Sequence, residues 1–565
     1  FHIDKLPVQR MPELEWLVQA RSNLEQPINL PAPDYSVLNY TDIIDYKAAQ
    51  GFNYLSAYLG NSVFDSIMHD YYSGWISKHP QPDDLRNIFE SHTDKDLTWF
   101  FNDFLGTTKR IDYKVVRLEN QHLLVKNKGE MVSPLVISGM NGDSISFEKW
   151  VDGFKGQKWI DIPNDNYSEI KINSNHVMPE LYSLNNNIRK SGIFRKSDPL
   201  NPQLLFSVED PDKRSLMYIP VVNWDKEDGF MVGITLNNGF LLPKPVEYYV
   251  MPFFSFKNSG LAGYGRISFN ITPYDNFIRK ATISLEGTQF GAPGNQTYRM
   301  TKTGLDLYFR DIKMINSVNH KVYGNFITAS DLFQIEQLEK GKTRSFLQLG
   351  YVLEKPGIIN PFKILTAFES NKSFQKASVE FNYKYSYHGK NNGLDMRLFT
   401  GVMLKNSLEV PFYALSATGR NGREQYLFEG DYPDRFGVFP TSFWSRQMTI
   451  LEGGLITPLN DSLGYSRWLI SATFTSSLPG KAGLIPVKPF INILLNDHGL
   501  GMGHNSPFFF EAGLKAGIWN FFEIYVPLVV SGNIGSLRES IKDRIRIVFN
   551  LESFYNLRLN SGLGN

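Results

Sequence analysis

The chain contains no cysteine, so it offers no disulfide framework, no thiolate nucleophile and no Cys-based zinc site. It also lacks a charge excess of either sign. Its 58 basic residues face 57 acidic ones for a formal net charge of +1, which leaves no bulk field to recruit nucleic acid or an anionic membrane surface. Apolar runs of about 18 residues or more are missing, and this excludes an α-helical membrane span on length alone. Position 1 is Phe rather than Met. The sequence therefore reads as a processed or truncated product whose signal peptide, with or without more of the chain, lies upstream.

What is present points to β-structure. At 565 residues the chain exceeds what one hydrophobic core usually organises. Aromatic residues make up 14%, glycines number 45 and charged residues are only 20%, a mixture that suits many strands and tight turns. The first part is nevertheless helical in pattern. Phe52, Leu55 and Leu59 recur on one face of 48–59, and Gly60-Asn61 ends that helix. Further helices are expected over 63–78, from Asp83-Asp84 to Ser91, and over 93–105. Near Asp112 the period changes to 2, with short strands around Val115, Leu124, Val136 and Ile170 at the spacing of an immunoglobulin-like sandwich. The polar run from Asn185-Asn186-Asn187 to Asn201-Pro202 reads as a linker. Three domains follow: helical over 1–112, sandwich and linker over 113–200, and a third over 201–565.

In that third part, from about Ser215, strict two-faced alternation sets in. Over 376–388 the odd positions Ala377, Val379, Phe381, Tyr383, Tyr385 and Tyr387 are apolar, and every even position is polar. The segments 265–272, 280–286, 305–310 and 544–552 repeat the division. A soluble sandwich alternates too, but strands of roughly 10–14 residues suit a tilted membrane crossing. Many apolar faces end in Tyr, Phe or Trp, as an interfacial girdle requires. The expected fold is mainly β: a large transmembrane antiparallel β-barrel of about 16 strands, preceded by a small β-sandwich and an α-helical domain. An even strand count places both barrel ends, and the N-terminal domains, on the periplasmic side of a Gram-negative outer membrane.

Two family resemblances follow from particular residues. Tyr218 to Trp224, then Glu227-Asp228-Gly229-Phe230 and on to Gly233, resembles the opening hairpin of surface-antigen-type barrels, the class of outer-membrane assembly proteins. Tyr46-Lys47-Ala48-Ala49, Tyr54-Leu55, Tyr71-Tyr72, His79-Pro80, Phe89-Glu90 and Trp99-Phe100-Phe101 resemble the C-terminal helical part of gluzincin (membrane alanyl aminopeptidase-like) metallopeptidases. That resemblance implies a zinc held by a His-Glu-x-x-His helix and a downstream Glu. The ten histidines here include no such pair, so zinc is expected only if a catalytic half lies upstream. It also implies a tyrosine that stabilises an oxyanion, two residues before Lys47. Asp45 occupies that place, with Tyr46 as the substitute a one-residue bulge would supply.

Other candidates have simpler readings. Asp497, His498 and His504 could close on a metal, but a polar barrel loop accounts for them. The long connection over 419–445 reads as an extracellular loop, with a lumen plug as the alternative. Lys280, Glu286, Asp306, Arg310, Glu380, Lys384, Arg544 and Arg546 should face the lumen, and their mixed sign points to internal ion pairing rather than an ion-selective pore. Met231, Met251, Met396 and Met403 read as lipid-facing or packing residues. The leading expectation is a structural and binding subunit of an outer-membrane assembly, with a non-catalytic, pseudoenzyme peptidase-like domain in the periplasm. Its partners would be outer-membrane lipid and other outer-membrane or periplasmic proteins, with no nucleic acid. The alternatives are a membrane-tethered zinc aminopeptidase completed upstream, and a channel or translocase.

Overall fold

The computed structural model describes residues 11–196, 200–204, 209–239, 241–292, 296–310, 318–330, 343–357, 359–387, 392–406, 414–419, 446–448, 452–459, 465–478, 482, 485–497, 508–518 and 522–549. Helices Met11–Arg21, Ala48–Leu59, Asn61–Trp75 and Pro82–Ser91 form the first part. Gly60 breaks the second from the third at φ 90°, a conformation that only a residue without Cβ adopts cheaply. The third helix then starts at Asn61 rather than at 63. Gln81 N–H donates to the Asp84 carboxylate at 2.7 Å, capping the fourth helix in the manner its acidic opening suggests. The helix expected over 93–105 is shorter, a π-helical segment Trp99–Phe104. Ahead of it, the Thr93 hydroxyl accepts from Lys95 N–H and the Asp96 carboxylate from Thr98 N–H, and such local bonds compete with helix.

Seven strands follow in two sheets. Tyr113–Glu119, His122–Asn127 and Gln157–Asp161 form one; Ser144–Val151, Leu135–Asn141, Glu169–Ile172 and Asn187–Arg189 form the other, each in that spatial order. Helices and sheets share one core, in which Leu55, Phe89 and Phe100 join Val125, Ile137 and Ile170. Tyr54 lies 4.7 Å from the Trp99 ring and donates its hydroxyl to the Pro134 carbonyl. The asparagine run is not the linker that its polarity suggests. Asn186 and Asn187 are buried; their amides donate to Glu180 at 2.5 Å and to Glu169 at 3.0 Å, and Asn187 opens a paired strand.

Among the described residues, seventeen strands then close into a barrel. One of them, Leu200–Leu204, runs parallel to Arg214–Asp225 and stands in the sheet order between the last strand, Arg546–Phe549, and the first. The other sixteen run from Arg214–Asp225 to Arg546–Phe549 as antiparallel neighbours. The opening hairpin turns where its Asp-Gly sits: the Asp225 carboxylate accepts from the N–H groups of Glu227 and Asp228, and Gly229 takes φ 67°. On Ile278–Ala292 the burial is the reverse of a soluble strand. Ser284, Glu286 and Thr288 are buried, whereas Ile283 and Leu285 are 46% and 52% exposed. A closed sheet with polar residues inside and an apolar exterior leaves no unpaired edge and matches a hydrocarbon surround.

The N-terminal unit meets the barrel at one end. Asn23, at φ 58°, donates to the carbonyls of Pro273 (2.8 Å) and Arg279 (3.0 Å) and accepts from Arg310 (3.0 Å). Arg279 donates to the Ser22 carbonyl, and Arg110, paired with Glu130, donates to that of Thr272.

Candidate functional site

Between the strands Gly393–Asn406 and Trp468–Ser476 runs the longest connection of the barrel. Its described parts lie inside the lumen. Leu415–Ser416 pairs antiparallel with Tyr465–Ser466. Leu415, Ala417 and Leu455 pack against Phe399, Leu469, Leu494 and Phe509, which point inward from the wall. This apolar contact supplies the packing, and three polar anchors supply the register.

The first anchor is Lys376, which bridges Glu369 of the wall (3.0 Å) and Glu452 of the connection (3.1 Å); Glu452 in turn accepts from Ser416 N–H at 2.5 Å. The second is Glu511, fully buried, which accepts from Ile456 N–H, from Thr457 N–H (3.0 Å) and from the Asn492 amide (2.8 Å). The third is Arg546, which donates to the carbonyls of Gly419, Arg446 and Gln447 at 2.9–3.2 Å. Beside it, Met448 N–H donates to the Ile547 carbonyl at 2.7 Å, so the connection reaches the last strand of the wall. Buried charged groups aimed at main-chain partners hold the described parts of the connection inside the lumen.

Of the eight lumen charges named from sequence, Glu286, Asp306 and Glu380 form ion pairs. Glu286 meets Arg266 (3.5 Å) and Lys302 (3.3 Å), Asp306 meets Lys321 (3.1 Å), and Glu380 meets Arg397 (2.7 Å). Lys280 lies 5.9 Å over the Tyr308 ring, and Arg310 reaches Asn23. Arg544 is not a strand residue. It sits in the turn before the last strand and donates to the Arg538 and Glu539 carbonyls. Lys384 lines a lumen cavity of about 490 Å³ beneath Gly454 and Ile456 of the connection. Met231 and Met251 face inward, in a cluster with Phe253, Phe290, Met300 and Phe346, and so are packing residues. Sequence reading missed Lys376, Glu452 and Glu511, because nothing local marks which inward charge meets a segment dozens of residues away.

The stretch around Asp45, where the sequence reads as resembling a peptidase, is arranged as follows. Asp45 is exposed. Tyr46 is half-buried, its ring 5.8 Å from Trp16, and it lines a cavity of only about 30 Å³ with Arg21, His176 and Glu180. Lys47 forms a buried ion pair with Glu25, which also accepts from the Trp16 indole at 3.4 Å. Burial pushes the Glu180 carboxyl up to about 8, against three donors that favour its charged form: Tyr113 N–H and the amides of Asn186 and Asn173. Among the described residues no three His, Cys, Asp or Glu side chains group as metal ligands, so these residues do not fit the zinc that the resemblance implies. Asp497 accepts from Arg467 N–H, while His498 and His504 lie outside the described residues, as does 420–445 of the long connection.

No family model matches the chain. No curated protein matches it either. Solved structures with a similar trace include BamA from Haemophilus ducreyi lacking POTRA domains 1–3, with TM-score 0.32 and 11% identity over 55% of this chain and 66% of that one. CdiB from Acinetobacter baumannii gives 0.27 and 14% over 56% of each, and the P pilus usher (PapC) translocation pore 0.21 and 10% over 75% and 69%. The chain thus spans less than two thirds of the first two. At such scores these likenesses carry no argument, and the barrel rests on its own strand register.

Proposed function

We propose that this chain is an outer-membrane barrel closed by its own connection, acting as a structural and binding subunit of an envelope assembly rather than as an open channel. The observation that carries the reading is the triple anchorage of the connection inside the lumen, through Lys376–Glu452, Glu511 and Arg546. The long connection leaves the end opposite to the one where Asn23 and Arg110 dock the N-terminal unit. Outer-membrane barrels keep long loops outside and short turns inside, which supports a periplasmic N-terminal unit. That unit keeps a peptidase-like scaffold as a non-catalytic, docked module. Its partners are outer-membrane lipid around the barrel and other outer-membrane or periplasmic proteins. Reconstituted into planar bilayers, the protein should show no steady ohmic conductance, and the variant combining Glu511→Ala with Arg546→Ala should open. A wild-type pore that conducts steadily would overturn this reading in favour of a channel.

A further inference from the structure

The most exposed large apolar side chain among the described residues is Ile193, at 94%, and its neighbour Phe194 is 74% exposed. Both sit at the tip of a short loop in the N-terminal unit. Arg189 N–H donates to the Arg195 carbonyl and Arg195 Nε to the Arg189 carbonyl, at 2.8 Å each, which closes the base of the loop. Lys190 N–H donates to the Ser168 carbonyl at 2.8 Å, and its ammonium lies 4.6 Å over the Tyr167 ring, so the near side is fixed to the sandwich. Gly192 turns the tip at φ 105°, which a residue without Cβ adopts cheaply. Singly exposed apolar side chains are ordinary, and what distinguishes this pair is its place and its charge.

The place is the rim of the barrel. Four residues beyond Lys196 the chain enters the wall strand Leu200–Leu204. Gln203 stands opposite the buried Met217, so Leu200, Pro202 and Leu204 alternate to the outer, lipid face, where they are exposed. Arg214, opposite Leu200 in the register, reaches the Lys196 carbonyl at 3.5 Å and ties the loop to this rim. At the same end of the barrel, the turns between neighbouring wall strands carry exposed Phe277, Ile359 and Ile485.

The charge is of one sign. Residues 181–197 contain Arg189, Lys190, Arg195 and Lys196 and no acidic residue; Glu180 and Asp198 bound the stretch. Partial desolvation, then the like charges of Lys114 and Arg195, hold the Lys196 ammonium below its ordinary value. Among the described residues Lys114, Arg195, Lys196 and Arg214 form no ion pair. Unpaired cations beside an apolar tip, level with the edge of a lipid-facing wall, match phosphate headgroups above acyl chains.

We infer that this loop anchors the N-terminal unit to the membrane surface. Ile193 and Phe194 enter the edge of the hydrocarbon beside Leu200, and Arg195, Lys196 and Arg214 meet the phosphates of anionic phospholipids. Lipid fits better than a protein partner because the outer face of the wall strand leads directly into the loop. The inference rests on the reading of the barrel as membrane-embedded, and the test separates the two.

The chain has no cysteine, so one introduced thiol reports one place. Ser191→Cys keeps both apolar side chains. The full chain carrying it, labelled with nitrobenzoxadiazole and reconstituted in equimolar phosphatidylethanolamine and phosphatidylglycerol, should emit to the blue of the label in water. Lipid bearing a nitroxide near the headgroup should quench it to about half or more of the quenching at Ile283→Cys on the wall. Adding Ile193→Ser with Phe194→Ser should lower that quenching about threefold or more. In phosphatidylcholine alone quenching should be weaker, and Lys114→Gln with Lys196→Gln should remove the difference between the two compositions. Heat-dependent gel migration checks that each variant is a folded barrel. A label at 191 that stays unquenched while the one at 283 is quenched, or one indifferent to loss of Ile193 and Phe194, overturns the inference and leaves the barrel standing. Equal quenching in both compositions overturns the headgroup assignment. An unquenched label at 283 overturns the membrane-embedded barrel and the inference with it.

Discussion

Glu180 should make the N-terminal unit less stable as the pH rises through the neutral range. Its carboxyl is enclosed among Tyr113, Asn173 and Asn186, with Asp112 adding like charge, and burial pushes it from an ordinary 4.5 up to about 8. Between those values the folded state keeps a proton that the unfolded chain has released. The unfolded state therefore binds fewer protons, and stability falls with increasing pH across this window: it is complete below pH 4.5 and lost as pH rises through 8. The loss is on the order of 4 kcal/mol over the window. Asp112, also raised by burial, acts in the same direction. Hydrogen exchange of the Tyr113, Val125 and Ile170 amides between pH 5 and 8.5, corrected for intrinsic rates, would read it. Glu180→Gln keeps an acceptor for Tyr113 N–H and has no proton to lose, so its stability should fall much less with pH, only by the part that Asp112 contributes, and should exceed wild type at pH 8.5. A wild-type stability that stays level or rises, or a Glu180→Gln variant with the wild-type slope, would refute the reasoning.

Three further outcomes are expected. Asn23→Ala removes three hydrogen bonds to the barrel end, costs about 2 kcal/mol of docking, and should speed proteolysis between the N-terminal unit and an intact barrel. Lys376→Met leaves Glu369 and Glu452 facing each other without their shared cation; it should cost about 3 kcal/mol and produce intermittent conductance in bilayers. Gln203→Cys with Met217→Cys, a pair opposed in the parallel register, should oxidise to a disulfide in a chain with no other cysteine, and failure to do so in a folded barrel would remove Leu200–Leu204 from the wall.

Some of this architecture is legible in the sequence for a local reason. The two-faced run over 376–388 appears as Phe374–Ser386, because alternation with a period of 2 is a property of the strand itself. The Asp228-Gly229 hairpin and the Gly60 break are equally local, each set by one residue at positive φ. The sixteen antiparallel strands follow from repeating that pattern. Leu200–Leu204 gives no such signal: five residues with a central proline read as linker, and only its parallel neighbour makes it a strand. Burial of Asn186 and Asn187 is also invisible locally, since their partners Glu180 and Glu169 decide whether the amides face water or core. The site was hidden for the same reason. Inward charges such as Glu380 and Arg546 could be assigned to the lumen by parity, but whether they meet each other, the connection or a ligand depends on contacts up to 127 residues apart.

The closed lumen itself is open to a direct test. Gln447 of the connection and Ile547 of the last strand are both buried and joined by a backbone bridge. Cysteines at these two positions should form an intramolecular disulfide rapidly in the folded, membrane-inserted protein, leaving the barrel's heat-dependent migration intact. If both cysteines instead stay reduced and react freely with a membrane-impermeant maleimide in the folded barrel, the connection lies outside the lumen and the account of a self-closed barrel is wrong.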